Sequence, residues 1–233
     1  MNELRRWEYD GTGLEGGLPQ TPWPLIREWI MQARDAATAG VVHEPDAITV
    51  ATVDAAGMPD VRMVLMRFLD PSGVGFVSST HSRKAEQIEA TGVMAATLVW
   101  TPLHRAIRLR GRVEVVDPAV THAYWATRPY GSRISAWVSQ QSHPVETREE
   151  LALRTQEYAQ RWPDHGGSDD VPVPPDWVGY RLRPREVEFW AGRPDRLHDR
   201  VRFVLADSDD GGGPVDGAEL DAEGRWEHMR LQP

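Results

Sequence analysis

Four groups of residues have the types and spacing to do chemistry. The first is Arg62-Met63-Val64-Leu65-Met66-Arg67. Alternate side chains of an extended strand share a face, so Arg62, Val64 and Met66 point one way and Met63, Leu65 and Arg67 the other. Two guanidiniums on opposite faces could serve two anions, or one anion and one carboxylate. The guanidinium fork suits phosphate because it gives paired hydrogen bonds. The second group is Ser78-Ser79-Thr80-His81-Ser82-Arg83-Lys84. Hydroxyls, two adjacent cations and a helix start fit a phosphate site, although a capped helix with a solvated basic face has the same composition. The third group is Tyr124, Arg128 and Ser132. Tyr124 and Arg128 are four apart and share a helical face, with Ser132 in the following turn. The fourth joins Phe189-Trp190 to Arg196-Leu197-His198-Asp199-Arg200. A tryptophan can flank a planar ring while arginine and histidine supply donors; a core tryptophan beside a charged turn is the plainer alternative.

The elements that must position these groups are mostly short strands. Ala47–Val53 is β-branched and apolar, Asp54-Ala55-Ala56-Gly57 is a turn, and Val61 to Leu69 reads as the hairpin partner. Val74–Ser79, Val93–Trp100 and Ala106–Val116 continue the series. Tyr180–Arg183 and Val187–Trp190 read as two strands, and Arg200–Leu205 pairs with Arg225 to Leu231. Helices are expected from Pro22 to Gly40, from Ser82 to Gly92, after Asp117-Pro118, over Gly131 to Val138, and over Thr147 to Arg161 with Leu151 and Leu153 as apolar anchors. This pattern argues for a mainly β fold with peripheral helices, an α+β barrel rather than a parallel α/β sheet. Glycine-rich strand-to-helix turns of dinucleotide or nucleotide type are absent from the sequence. Residues 1–20 read as a flexible arm, 21–233 as one domain, and 207–223 as a mobile, Asp- and Gly-rich loop.

Composition narrows the chemistry further. The chain has 233 residues, no cysteine and eight scattered histidines, which leaves no thiolate chemistry and no histidine pair with metal-ligand spacing. A formal charge of −9 disfavours non-specific nucleic-acid binding. No apolar run is long enough to span a bilayer. The expectation is a cytoplasmic protein without metal, membrane or nucleic-acid partners.

Together the four groups resemble the pyridoxine/pyridoxamine 5′-phosphate oxidase family. The resemblance also takes in Arg5-Arg6-Trp7-Glu8-Tyr9, Ala136-Trp137-Val138-Ser139 with Gln141-Ser142, and the terminal Leu231-Gln232-Pro233; Glu188-Phe189-Trp190 with Arg196-Leu197-His198-Asp199-Arg200 is its most specific part. It implies an FMN-binding split β-barrel, present as a homodimer with active sites at the subunit interface. Arg62, Met63, Val64 and Leu65 would line FMN, and Val77, Ser78, Arg83 and Lys84 its phosphate side. Gln141, Ser142, Trp190 and Arg200 would reach FMN from the other subunit. The substrate phosphate would meet Arg67, Tyr124, Arg128 and Ser132. Arg196 and His198 would lie over the pyridine ring as the catalytic pair, and Arg6 and Tyr9 would cover the occupied site. The implied reaction oxidises the 4′ carbon of pyridoxine or pyridoxamine 5′-phosphate to the aldehyde, with dioxygen as acceptor and hydrogen peroxide released.

Three positions depart from the family pattern. Arg67 stands where a lysine usually meets the substrate phosphate, Ala106 where a glutamine usually bonds the flavin ring, and Ala191 where glutamine usually follows the tryptophan. They leave open a related oxidase of dihydrophenazine carboxylates, or a flavin-binding protein without oxidase activity.

Overall fold

The computed structural model describes residues 8–11, 13–194, 196–206 and 218–233. Its centre is one antiparallel sheet. The strands are β1 (Ala47–Val53), β2 (Pro59–Leu65), β3 (Phe68–Asp70), β4 (Gly73–Ser79), β5 (Val93–Trp100), β6 (Arg105–Val115), β7 (Trp177–Ala191), β8 (Asp199–Leu205) and β9 (Trp226–Leu231). Their order is β2-β1-β5-β6-β7-β4-β3, with β8 joined to β7 and β9 to β8. Helices α1 (Trp23–Thr38), α2 (Arg83–Thr91), α3 (Pro118–Ala126), α4 (Tyr130–Val138) and α5 (Arg148–Arg161) lie around it.

Strand periodicity sets the inward face. In β1 and β5 every second residue is buried, which brings Ile48, Val50, Met94, Ala96 and Leu98 into one core with Ile107, Leu109, Val187 and Phe189. Helix α1 closes this core with Ile26, Trp29, Ile30 and Ala33, and Trp29 meets Phe189 edge to face at 5.3 Å. A second cluster of Trp125, Ile134, Val138, Val171 and Trp177 holds α3 and α4 against the start of β7.

Four expectations need correction. Val61 to Leu69 is not one strand: β2 ends at Leu65, where Met66 N–H turns to Asp46 O and Arg67 N–H to Gly75 O. Tyr180–Arg183 and Val187–Trp190 are one strand, β7. Pro184 passes through it at an irregularity in the β6 ladder, where Arg110 faces Glu186 and the next residue, Gly111, faces Pro184. A side chain at Gly111 would put its Cβ 2.0 Å from Arg183 O, so the glycine admits the bulge. Leu153 anchors nothing, being 66% exposed; Leu151 packs instead. The termini of the sequence are also tied down where they are described. Leu14 is in the core, and Leu220, inside the expected mobile loop, is fully buried, donating to Pro71 O and accepting from Trp23 N–H. Residues 207–217 lie outside the described residues.

Candidate functional site

The second sequence group folds into a compact polar pocket. Ser82 ends the β4–α2 turn as N-cap, accepting from Ala85 N–H, and Gly92 closes the helix in the left-handed region at φ 68°. Ser78 faces it from β4, with the two hydroxyls 2.9 Å apart. Lys84 is buried behind them and donates to Ser78 Oγ and Gln141 Oε1, each at 3.1 Å. Ser78 Oγ also donates to Gln141 Oε1 at 2.7 Å, and Ser142 Oγ accepts from Arg83 N–H at 3.2 Å. Gln141 and Ser142 therefore sit on the phosphate-side residues of their own chain. Burial, with the charge of Arg62 added, pulls Lys84 down to about 8. Among the described residues no carboxylate pairs with Lys84. A buried cation ringed by hydroxyls and a helix start has the donor set for a phosphate group.

Arg62 borders this pocket from the inner face of β2. Its guanidinium donates to Thr52 Oγ1 at 2.6 Å and Gln87 Oε1 at 3.1 Å, and pairs with Asp60 at 2.6 Å. Thr52, Asp60 and Gln87 carried no signal in the sequence; only the β1–β2 register and the packing of α2 bring them to Arg62. Val64 shares the inward face, whereas Met63 is 66% exposed on the other. One ligand cannot meet all four residues of Arg62–Leu65 through side chains. Among the described strands β2 pairs with β1 alone, which leaves main-chain groups on its other edge.

The third group comes together with Arg67, but not on the expected helical face: α3 ends at Ala126, so Arg128 lies beyond it, and Ser132 lies within α4 rather than in a turn. Arg67 lies over the Tyr124 ring at 5.7 Å, and Tyr124 stacks on Trp177 at 6.0 Å. Arg128 is held between Trp125 and Trp177, at 5.2 and 5.1 Å, and donates to Ser132 O at 2.6 Å. Burial lowers Arg128 from the ordinary guanidinium value; Tyr124 acts against this and the charge of Arg67 adds to it. Two guanidiniums that repel each other beside one phenol have the charge and donors to take an anion.

The fourth group lies elsewhere on the molecule. Trp190 is half-buried, 4.8 Å from the His198 ring, and Tyr9 packs edge-on to both at 5.9 and 5.0 Å. His198 Nδ1 accepts from Arg193 N–H at 3.1 Å, which leaves Nε2 as the donor. Arg196 is exposed at φ 63°. Arg200 is paired with Glu188 at 2.8 Å. The expected arm is a strap here. Leu14 N–H donates to Asp199 at 2.8 Å, Asp10 meets His104 Nε2 at 2.8 Å, and Arg230 reaches Leu14 O at 3.3 Å. Arg6 lies outside the described residues. Val77, opposite in facing to Ser78, packs on the second apolar cluster.

Strand β7 separates these groups. Ser78 is the register partner of Val178, and Ser79 of Trp177, whereas Trp190 is twelve residues on and pairs with Ala106 and Arg200. At the usual rise this is roughly 40 Å of strand. Across the sheet, β1, β5 and β6 stand between β2 and β7. Along β7 of one chain, Ser78 and Tyr124 lie at the start, against Val178 and Trp177, and the Trp190–His198 cluster lies toward the end. No helix among the described residues is long and apolar enough to cross a membrane, and no group of three or more metal-capable side chains occurs among them.

A half-barrel of antiparallel strands with peripheral helices defines the class as a split-barrel protein. The family profile described as "Pyridoxamine 5'-phosphate oxidase" matches residues 35–191, and "Pyridoxine 5'-phosphate oxidase C-terminal dimerisation region" matches 177–233. The chain belongs to the pyridoxamine 5′-phosphate oxidase family. It is 45% identical over 219 residues to the pyridoxine/pyridoxamine 5′-phosphate oxidase of Kineococcus radiotolerans, covering 94% of this chain and 92% of that one. The protein of the same name from Bordetella petrii is 41% identical over 100% and 99% of the two chains. Among solved structures, PhzG from Burkholderia lata 383, in complex with tetrahydrophenazine-1-carboxylic acid, superposes with a TM-score of 0.77 at 28% identity, over 92% of this chain and 94% of that one.

Proposed function

We propose that this protein is an FMN-dependent oxidase converting pyridoxine or pyridoxamine 5′-phosphate to pyridoxal 5′-phosphate. The observation that carries the reading is Lys84, a buried cation among hydroxyls with no carboxylate partner among the described residues. The near-full-length relatives that bear this enzyme name support it. Bound FMN would supply the two-electron oxidant for the 4′ carbon, with dioxygen restoring it and leaving as hydrogen peroxide. Ser78, Ser82, Arg83 and Lys84 hold the cofactor phosphate, with Arg62 beside them. Arg67, Tyr124, Arg128 and Ser132 hold the substrate phosphate. Arg196 and His198 orient the pyridine, His198 donating through Nε2, and Tyr9 shields the ring from water.

These roles require two chains. Trp190, Arg196, His198 and Arg200 lie too far along β7 to meet a small ligand seated at Ser78 of the same chain. We infer a homodimer in which one protomer's phosphate pockets face its partner's Trp190 cluster. The exposed Val61, Met63, Val93 and Val99, and the C-terminal match to a dimerisation region, support this.

The test is peroxide release by the FMN-loaded protein on adding pyridoxine 5′-phosphate. Arg196→Ala should abolish most of that turnover while keeping FMN content. Turnover of a reduced phenazine carboxylate without turnover of the phosphorylated pyridine would reassign the substrate. FMN binding with neither would leave a flavin carrier, and failure to bind FMN would overturn the oxidase reading.

A further inference from the structure

The Trp190 cluster contains a buried carboxylate that the proposed reaction does not use. Glu188 is 2% exposed and stands two residues before Trp190 on the same face of β7. Its Oε1 accepts from Arg200 Nε at 2.9 Å and lies 2.8 Å from Arg200 Nη2. Its Oε2 accepts from Arg108 Nη1 and Arg202 Nη2, each at 3.2 Å. Arg200 is held at a further point, donating through Nη1 to Gln232 O at 3.0 Å. Burial works to raise the Glu188 carboxyl. Hydrogen bonds from Arg200 and Arg202 and the charge of Arg108 outweigh burial and keep it below the ordinary glutamate value.

Stability is a weak explanation for such a group, because well-packed apolar residues replace buried ion clusters with little loss. The geometry is more informative. One oxygen is given wholly to one edge of Arg200. The other is occupied by two arginines from neighbouring strands, which stops the carboxylate from turning away. β6, β7 and β8 thus each contribute to fixing a single guanidinium beside Trp190.

We propose that Glu188 is a positioning residue for the cofactor: it fixes the Arg200 guanidinium against the flavin, and Arg108 and Arg202 in turn fix Glu188. The proposal rests on the reading that Arg200 meets FMN. It predicts that Glu188 affects the cofactor only through Arg200. Prepared this way, Arg200 loses little side-chain freedom when the flavin arrives.

The test is a double-mutant cycle on the apoprotein, with FMN affinity read from quenching of flavin fluorescence. Glu188→Gln and Arg200→Ala should each weaken FMN binding roughly tenfold. The double variant should bind no more weakly than Arg200→Ala alone. Multiplied losses in the double variant, or wild-type affinity in Glu188→Gln, would overturn the positioning role. Wild-type affinity in Arg200→Ala would instead show that Arg200 does not meet the flavin, and the positioning role would fall with it. Glu188→Gln leaves three cations around a neutral amide. If that variant does not fold, the cycle is run in an Arg108→Leu background, which removes one of them.

Discussion

The two ends of the barrel solve ligand binding in opposite ways. At the Ser78 end Ser78, Ser82 and Lys84 are buried, bonded to one another and built on β4 and α2. At the Trp190 end the donors are half-buried or exposed, and a strap of irregular chain completes them. Buried donors are oriented before a ligand arrives but pay desolvation in its absence, which the lowered Lys84 records. Strapped donors avoid that cost but depend on the strap staying in place. The first arrangement suits the phosphate of a resident cofactor, and the strap suits a cover that must open for a substrate to enter and leave at every turnover.

Removing the buried charge should show the largest effect. Lys84→Met should weaken FMN binding roughly a hundredfold, measured by titrating the apoprotein, while the apoprotein's melting temperature holds or rises. A drop in both would mean that Lys84 supports the fold rather than the phosphate. Next is Arg128→Ala, which should raise the KM for pyridoxine 5′-phosphate roughly thirtyfold with FMN affinity unchanged. Loss of FMN instead would merge the two anion pockets into one.

The Lys84 end should also respond to pH, and the sign follows from its lowered value. The folded chain gives up this proton near pH 8, before the unfolded chain does, so the apoprotein gains stability from this group as pH rises from about 8 toward the free-lysine range. FMN needs the cation, so its dissociation constant should rise roughly tenfold by pH 9, and Lys84→Met should abolish that rise. The strap should give the smallest effect. Gly13 has φ +75°, and a Cβ there would lie 2.3 Å from Asp199 Oδ2. Gly13→Ala should displace Tyr9 and lower kcat/KM roughly fivefold without changing FMN affinity. An equal loss at both ends would erase the contrast between them.

The contrast was only half legible in the sequence. Ser82 capping α2 and Gly92 ending it are local patterns that survive folding unchanged, whereas Tyr124 and Arg128 lost their shared face because α3 stops at Ala126, ahead of Pro129. Arg62 was visible as a cation, but Thr52, Asp60 and Gln87 reach it through strand register and helix packing, which leave no local trace. Glu188 and its arginines are spread from Arg108 to Arg202, so the cluster exists only once β6, β7 and β8 are aligned. Pro184 misled the strand assignment because its missing donor is harmless at a bulge, and a bulge depends on Gly111 in another strand. Leu14 and Leu220 were hidden for a related reason: single apolar residues in Gly-rich segments show no period, yet each has a niche in the core.

The length of β7 has a genetic consequence. In the proposed dimer each chain supplies the phosphate-binding half of one site and the Trp190 half of the other. A chain defective at Lys84 and a chain defective at Arg196 are therefore broken in different sites. Mixed at random, half of the dimers would carry both defects in one site and leave the other intact, restoring about a quarter of full activity. Two alleles that are each null alone would complement one another, whereas two alleles damaged at the same end of β7 would not.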